Sequence, residues 1–143
     1  MKRSKGAGLD FEALRLCIER CDPVPMLAFY AEDVELSIVG AGSPQTPPFV
    51  LRGRSEVAKH LRAVYGQRAS HRVEGVIVDE GWVTFREACK YPDGGRVLVE
   101  TTLEVRDGKI VRQVDAVAKV ALADAATRHR LPGSERAIEK EEY

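Results

Sequence analysis

The chain has 143 residues, with 22 Lys and Arg against 22 Asp and Glu, a length that suits one domain built around one core. Balanced charge gives no net field to draw a phosphate backbone or an anionic lipid surface. The basic clusters at Met1 to Lys5 and Arg128 to Arg130 sit toward the ends, which argues against a nucleic-acid partner. No apolar run approaches the roughly 20 residues of a spanning helix, and the N-terminal stretch lacks the apolar segment of a secretory signal, so the expectation is a cytoplasmic protein with no membrane partner.

Residues 1–8 are basic, Gly-containing and almost free of large apolar groups, which predicts a loose terminus. Asp10 can cap a helix whose apolar positions Phe11, Leu14, Cys17, Ile18 and Cys21 follow spacings of three and four. Asp22-Pro23 restarts the chain, and Met26, Leu27, Phe29 and Tyr30 predict a short second helix ending near Ala31. Val34, Leu36 and Ile38 alternate with Glu35 and Ser37, the period of a strand with one buried face. The Gly40 to Pro48 stretch holds two Gly and three Pro and predicts a loop bordering a site. Arg54-Ser55 opens a third helix with Val57, Leu61, Val64 and Tyr65 on one stripe and Gly66 as its stop.

From Ser70 the β-branched residues cluster in four runs, Arg72 to Val78, Trp82 to Tyr91, Val97 to Arg106 and Ile110 to Val120. Glu80-Gly81, Pro92-Asp93-Gly94-Gly95 and Asp107-Gly108 separate them and are short enough to make hairpins. Three helices followed by an antiparallel meander predict an α+β domain over residues 9–122, with a charged tail over 123–143 that is mobile or laid across a neighbouring subunit. Three cysteines at 17, 21 and 89 are an odd count with no ligand spacing and read as reduced, structural residues. His60, His71 and His129 have no partner at catalytic spacing and make no metal triad, so surface or satisfied histidines are expected.

Three local strings occur in order: Phe29-Tyr30-Ala31-Glu32-Asp33-Val34, Leu51-Arg52-Gly53-Arg54-Ser55-Glu56-Val57, and Asp107-Gly108-Lys109-Ile110-Val111. Over about residues 9 to 120 they resemble the nuclear transport factor 2-like superfamily, especially SnoaL-like polyketide cyclases and the ketosteroid isomerase and limonene epoxide hydrolase relatives. That resemblance implies a cone of helices on a curved sheet around one hydrophobic pocket, a small apolar organic ligand, no cofactor, and a homodimer formed through the exposed sheet. It also implies which positions to inspect. The isomerases place a general-base Asp where this chain has Ile38, and an oxyanion pair where it has Leu14 and Thr101. The hydrolases' Arg-x-Asp falls at Arg86-Glu87-Ala88, which keeps the Arg and lacks the Asp. The acid that cyclases and hydrolases carry on the last strand falls seven residues after Gly108, at Asp115.

The candidate site is therefore Asp115 as base, with Thr101 or Glu87 helping to hold or protonate an oxygen. Asp115 faces either the cone interior or solvent, and in an apolar cavity its pKa would rise. Glu87 lies on the face of its strand shared with Val83, Phe85, Cys89 and Tyr91, opposite Arg86, and is either an inward acid or half of a sheet-surface ion pair. Thr101 shares a face with Val99, Leu103 and Val105. Met26, Tyr30, Phe49, Tyr65, Trp82, Phe85 and Leu103 are the residues expected to line the pocket. The competing functional class is a non-catalytic ligand-binding or assembly module, favoured by the hydrocarbon at positions 14, 38 and 88.

Overall fold

The structure is a computed structural model that describes residues 8–40 and 47–120. Its elements run α1 (Phe11–Glu19), α2 (Pro23–Met26), a 3-10 turn (Leu27–Phe29), β1 (Tyr30–Val39), β2 (Phe49–Arg52), α3 (Arg54–Tyr65), β3 (Ser70–Asp79), β4 (Trp82–Lys90), β5 (Arg96–Arg106) and β6 (Lys109–Val120). The terminal expectations for residues 1–7 and 121–143, like most of the loop at 41–46, lie outside the described residues.

The Asp10 carboxylate accepts the Ala13 amide proton at 3.1 Å, satisfying one of the first-turn donors that no helix can pair internally. Phe11, Leu14 and Ile18 then face the core. The Glu19 carboxylate, at the other end of α1, accepts from the Val73 amide at 2.8 Å and so ties the helix to β3. The expected second helix is shorter than its apolar pattern suggested. It ends at Met26, passes through the 3-10 turn, and Tyr30 already opens a strand. The cause is tertiary: Tyr30 pairs with Ile110 of β6, and ladder pairing overrides the weak helix preference of a four-residue segment that begins Pro-Val-Pro.

The six strands form one sheet in the order β2-β1-β6-β5-β4-β3. All neighbours are antiparallel except β1 and β6. The meander from β3 to β6 matches the hairpin reading, and Asp107 and Gly108, both at positive φ (53° and 77°), fit a two-residue hairpin turn that needs left-handed backbone at each position. β2 has no alternating pattern in Phe-Val-Leu-Arg and becomes a strand only by pairing with β1 along the sheet edge. Register shifts interrupt the ladders at Tyr30/Glu35, Glu74/Ile77, Leu98/Val99 and Glu104/Val105. Such bulges add twist and bend, which wraps the sheet around the helices. The result is three helices packed on a curved, open, mostly antiparallel sheet.

The main core combines Leu14 and Ile18 of α1, Met26, Tyr30, Val34, Leu36 and Ile38, Val57 and Leu61 of α3, and Val83, Phe85, Leu103 and Ile110 from the sheet. A smaller cluster of Cys89, Tyr91, Val97, Val99 and Val117 fills the other end of the concave face. Among the described residues no helix is long and apolar enough to cross a membrane.

Candidate functional site

A cavity of about 50 Å³ lies between the helices and the concave face of the sheet. Leu14, Ile18, Met26, Leu61, Phe85 and Leu103 supply much of its apolar wall, while Tyr30, Tyr65, Glu87, Gln113 and Asp115 bring polar atoms to it. Such a volume holds a few waters or a group of a few heavy atoms. Leu14 and Ile38 are part of this hydrocarbon wall.

The ladder registers explain how the acids meet. Thr101 of β5 stands directly opposite Asp115 of β6 and also opposite Phe85 of β4. Residues two apart on a strand share a face, so Leu103 and Val99 join Thr101, and Gln113 and Val117 join Asp115. Thr101 donates its hydroxyl proton to Asp115 Oδ1 at 3.0 Å, and the Gln113 amide nitrogen donates to the same oxygen at 2.9 Å. The Tyr30 hydroxyl donates to Gln113 Oε1 at 2.7 Å, which fixes the amide's orientation. Among the described residues Oδ2 of Asp115 receives no hydrogen bond.

Asp115 is half-buried by its accessible surface, yet protein surrounds it closely enough to matter. Desolvation lifts its pKa to about 6, the donated bonds from Gln113 and Thr101 pull the other way, and the charge of Glu87 adds to the rise. Burial likewise raises the phenol of Tyr30, with Asp115 and Glu87 as secondary causes, so Tyr30 stays a neutral donor.

Glu87 is 8% exposed, and it is no surface ion pair: Arg86, its neighbour on the outer face, pairs instead with Glu74 at 3.9 Å. The Glu87 Oε2 atom accepts from the Tyr65 hydroxyl at 2.8 Å and lies 2.8 Å from His71 Nδ1. Asp115 and Glu87 therefore belong to two separate polar clusters two strands apart, about 10 Å across the sheet. Thr101 serves Asp115 and Glu87 serves the second cluster.

Of the residues expected to line the pocket, Met26, Tyr30, Tyr65, Phe85 and Leu103 do so. Phe49 and Trp82 are placed elsewhere. Phe49 lies on the edge strand β2 and is 36% exposed; Trp82 begins β4 on its outward parity and is 43% exposed. Two contributors, Gln113 and His71, lie outside the expected set, and Tyr30 does more than line the wall. Gln113 carried a signal, being two residues before Asp115 and so on the same face. Tyr30, expected to line the pocket, also uses its hydroxyl, as a buried Tyr usually does. His71, expected as a surface or satisfied histidine, has its partner across a strand pair, at no sequence spacing that marks a site.

The SnoaL-like domain family matches residues 11–113 of the chain. No curated protein matches the sequence at a significant level. Among solved structures, a protein of unknown function from Mesorhizobium loti, described as NTF2-like, superposes with a TM-score of 0.67 at 20% identity, covering 76% of this chain and 88% of that one. A structure provisionally assigned as a ketosteroid isomerase, from Kribbella flavida, gives 0.65 at 21% identity over 88% and 82%. An epoxide hydrolase from M. tuberculosis, described as LEH-like, gives 0.59 at 20% identity over 82% of each chain. At these identities the structures speak for the fold.

Proposed function

Since the chain belongs to the SnoaL-like domain family, we propose that it binds a small, mostly apolar organic molecule and acts on it by proton transfer, with Asp115 as the general base. The reaction class is a cyclisation, isomerisation or hydrolysis, and the proton transfer itself draws on side chains without a cofactor. One observation carries the reading: a carboxylate in an apolar cavity is held by two donors on Oδ1, leaving Oδ2 to take a proton, and its pKa of about 6 suits a base near neutral pH. Thr101 and Gln113 act as positioning residues, because their protons are spent on Asp115 rather than on a substrate oxygen.

A second copy docks on the outer face of the sheet. Support comes from the cross-strand row Thr84, Thr102 and Val114, which is small or apolar, and from Ala116, Ala88 and Leu98 flanking the Arg86–Glu100 pair beside it. The competing reading, a ligand-binding or assembly module without turnover, is supported by the hydrocarbon at Leu14, Ile38 and Ala88.

The deciding experiment screens small ketones, epoxides and polyphenolic precursors by thermal shift against wild type and Asp115→Asn, then measures turnover of every ligand found. The expected result is binding by both proteins with turnover by wild type alone. Equal stabilisation of both with no turnover by either would leave only the binding module.

A further inference from the structure

The second polar cluster has an arrangement that proton transfer by Asp115 does not use. His71 of β3 and Cys89 of β4 are direct cross-strand partners, and Glu87 is two residues from Cys89 on the same face. All three side chains are buried. One nitrogen, one carboxylate oxygen and one sulfur from these residues lie within 4.8 Å of one another. We propose that His71, Glu87 and Cys89 form a three-ligand site for a zinc-like divalent cation at the inner end of the cavity.

Hydrogen bonding alone leaves this cluster unsatisfied. Both Glu87 Oε2, at 2.8 Å, and Cys89 Sγ, at 3.4 Å, crowd the same ring atom, His71 Nδ1. That nitrogen carries either one proton or one lone pair. If it carries the proton, the Cys89 thiol has no acceptor there; if it carries the lone pair, it faces the carboxylate oxygen with nothing between them. A cation at the centre resolves the crowding, since all three atoms then turn a lone pair toward it.

The donor set also selects the ion. Nitrogen, carboxylate oxygen and thiolate together suit a borderline-soft metal such as zinc, at about 2.0–2.3 Å from each ligand. The three atoms lie close enough together to share one cation, and three protein ligands leave the fourth position of a tetrahedral ion open. Glu87 and Cys89 line the inner cavity, so that position faces it and is available to a water or a ligand oxygen. Ion access does not require passage through the cavity, because His71 and Cys89 also line a surface groove beside Ser70 and Arg72. Outside the ligands, the Tyr65 hydroxyl holds Glu87 and the Tyr65 ring packs on the His71 ring with centroids 4.7 Å apart, the kind of support that orients metal ligands. The thiolate is the metal-binding form of Cys89, so uptake releases the thiol proton to solvent and weakens as pH falls.

The test uses full-length protein stripped with chelator, titrated with zinc chloride by calorimetry and with cobalt chloride by absorption. One equivalent should bind, cobalt should give a thiolate-to-metal charge-transfer band, and zinc should raise the melting temperature. Cys89→Ser should abolish the band, and His71→Gln and Glu87→Gln should each weaken zinc binding at least about tenfold. Cys17→Ser and Asp115→Asn should leave stoichiometry and affinity unchanged, which separates this site from the role proposed for Asp115. A wild-type cobalt complex with no thiolate band overturns the proposal without reference to how any variant folds. Zinc binding of undiminished strength in the three ligand variants overturns it as well.

Discussion

Asp115 is an acid whose folded surroundings favour its neutral form, and this has opposite consequences for activity and for stability. Activity requires the carboxylate, so turnover should rise with pH through about 6. Stability runs the other way. Between the ordinary Asp value and about 6 the folded state holds a proton that the unfolded chain has lost, so the neutral carboxyl's contribution is full below that window and gone above it. Asp115→Asn removes the ionisation penalty and preserves an oxygen for Thr101 and Gln113. We expect it to eliminate turnover yet to exceed wild type in stability by on the order of 1 kcal/mol at pH 8, with the difference vanishing near pH 4, as urea melts at the two pH values would show. Tyr30→Phe deletes the donor to Gln113 Oε1 and leaves that buried acceptor unpaired. It should cost about 1–3 kcal/mol in chemical denaturation and lower kcat more than it raises KM. The Asp115 position was visible in the sequence through its distance from Gly108. The two bonds on Oδ1 were not, because they depend on the register of β5 against β6.

At the scale of single elements, local chemistry and tertiary pairing contribute in different proportions. The start of α1 is local, since the Asp10 carboxylate meets the Ala13 amide three residues on. Asp10→Ala should therefore cost about 1 kcal/mol in a thermal or urea melt. The β5–β6 turn is local too. Gly108 sits at φ 77°, and a Cβ added there would meet nothing closer than 3.5 Å from the Gly8 carbonyl oxygen. Gly108→Ala should destabilise by about 1 kcal/mol through backbone strain alone, with spectra of the folded state unchanged. By contrast, the end of α2 and the existence of β2 are tertiary outcomes. Leu27, Phe29 and Tyr30 read as helix by apolar content, and Phe49 to Arg52 reads as nothing in particular. The neighbours that decide them, Ile110 for Tyr30 and β1 for β2, come from distant parts of the chain.

For the molecule as a whole, the sheet separates two surfaces by the alternation of its side chains. The inner surface carries the core, the cavity and both polar clusters; the outer carries Thr84, Arg86, Ala88, Leu98, Glu100, Thr102, Val114 and Ala116. If the outer face joins two copies, replacing Val114 with Lys should convert a dimer to a monomer in sedimentation equilibrium while leaving the fold intact. A monomeric wild type at micromolar concentration would refute that arrangement.

The sequence by itself determined the α+β class, the helix-then-meander order and the hairpin turns, because each follows from short-range periodicity and turn chemistry, while the family showed through its local strings. Only the tertiary structure decided which polar groups meet. Hydrogen-bond partners across a sheet depend on strand order and on four register shifts, neither of which leaves a mark at any fixed spacing along the chain. Thus Asp115 could be located but not its companions Thr101, Gln113 and Tyr30 as a connected set. Glu87, which the pattern left between an inward acid and a surface ion pair, became the centre of a buried cluster with Tyr65 and His71 because β3 places His71 beside Cys89.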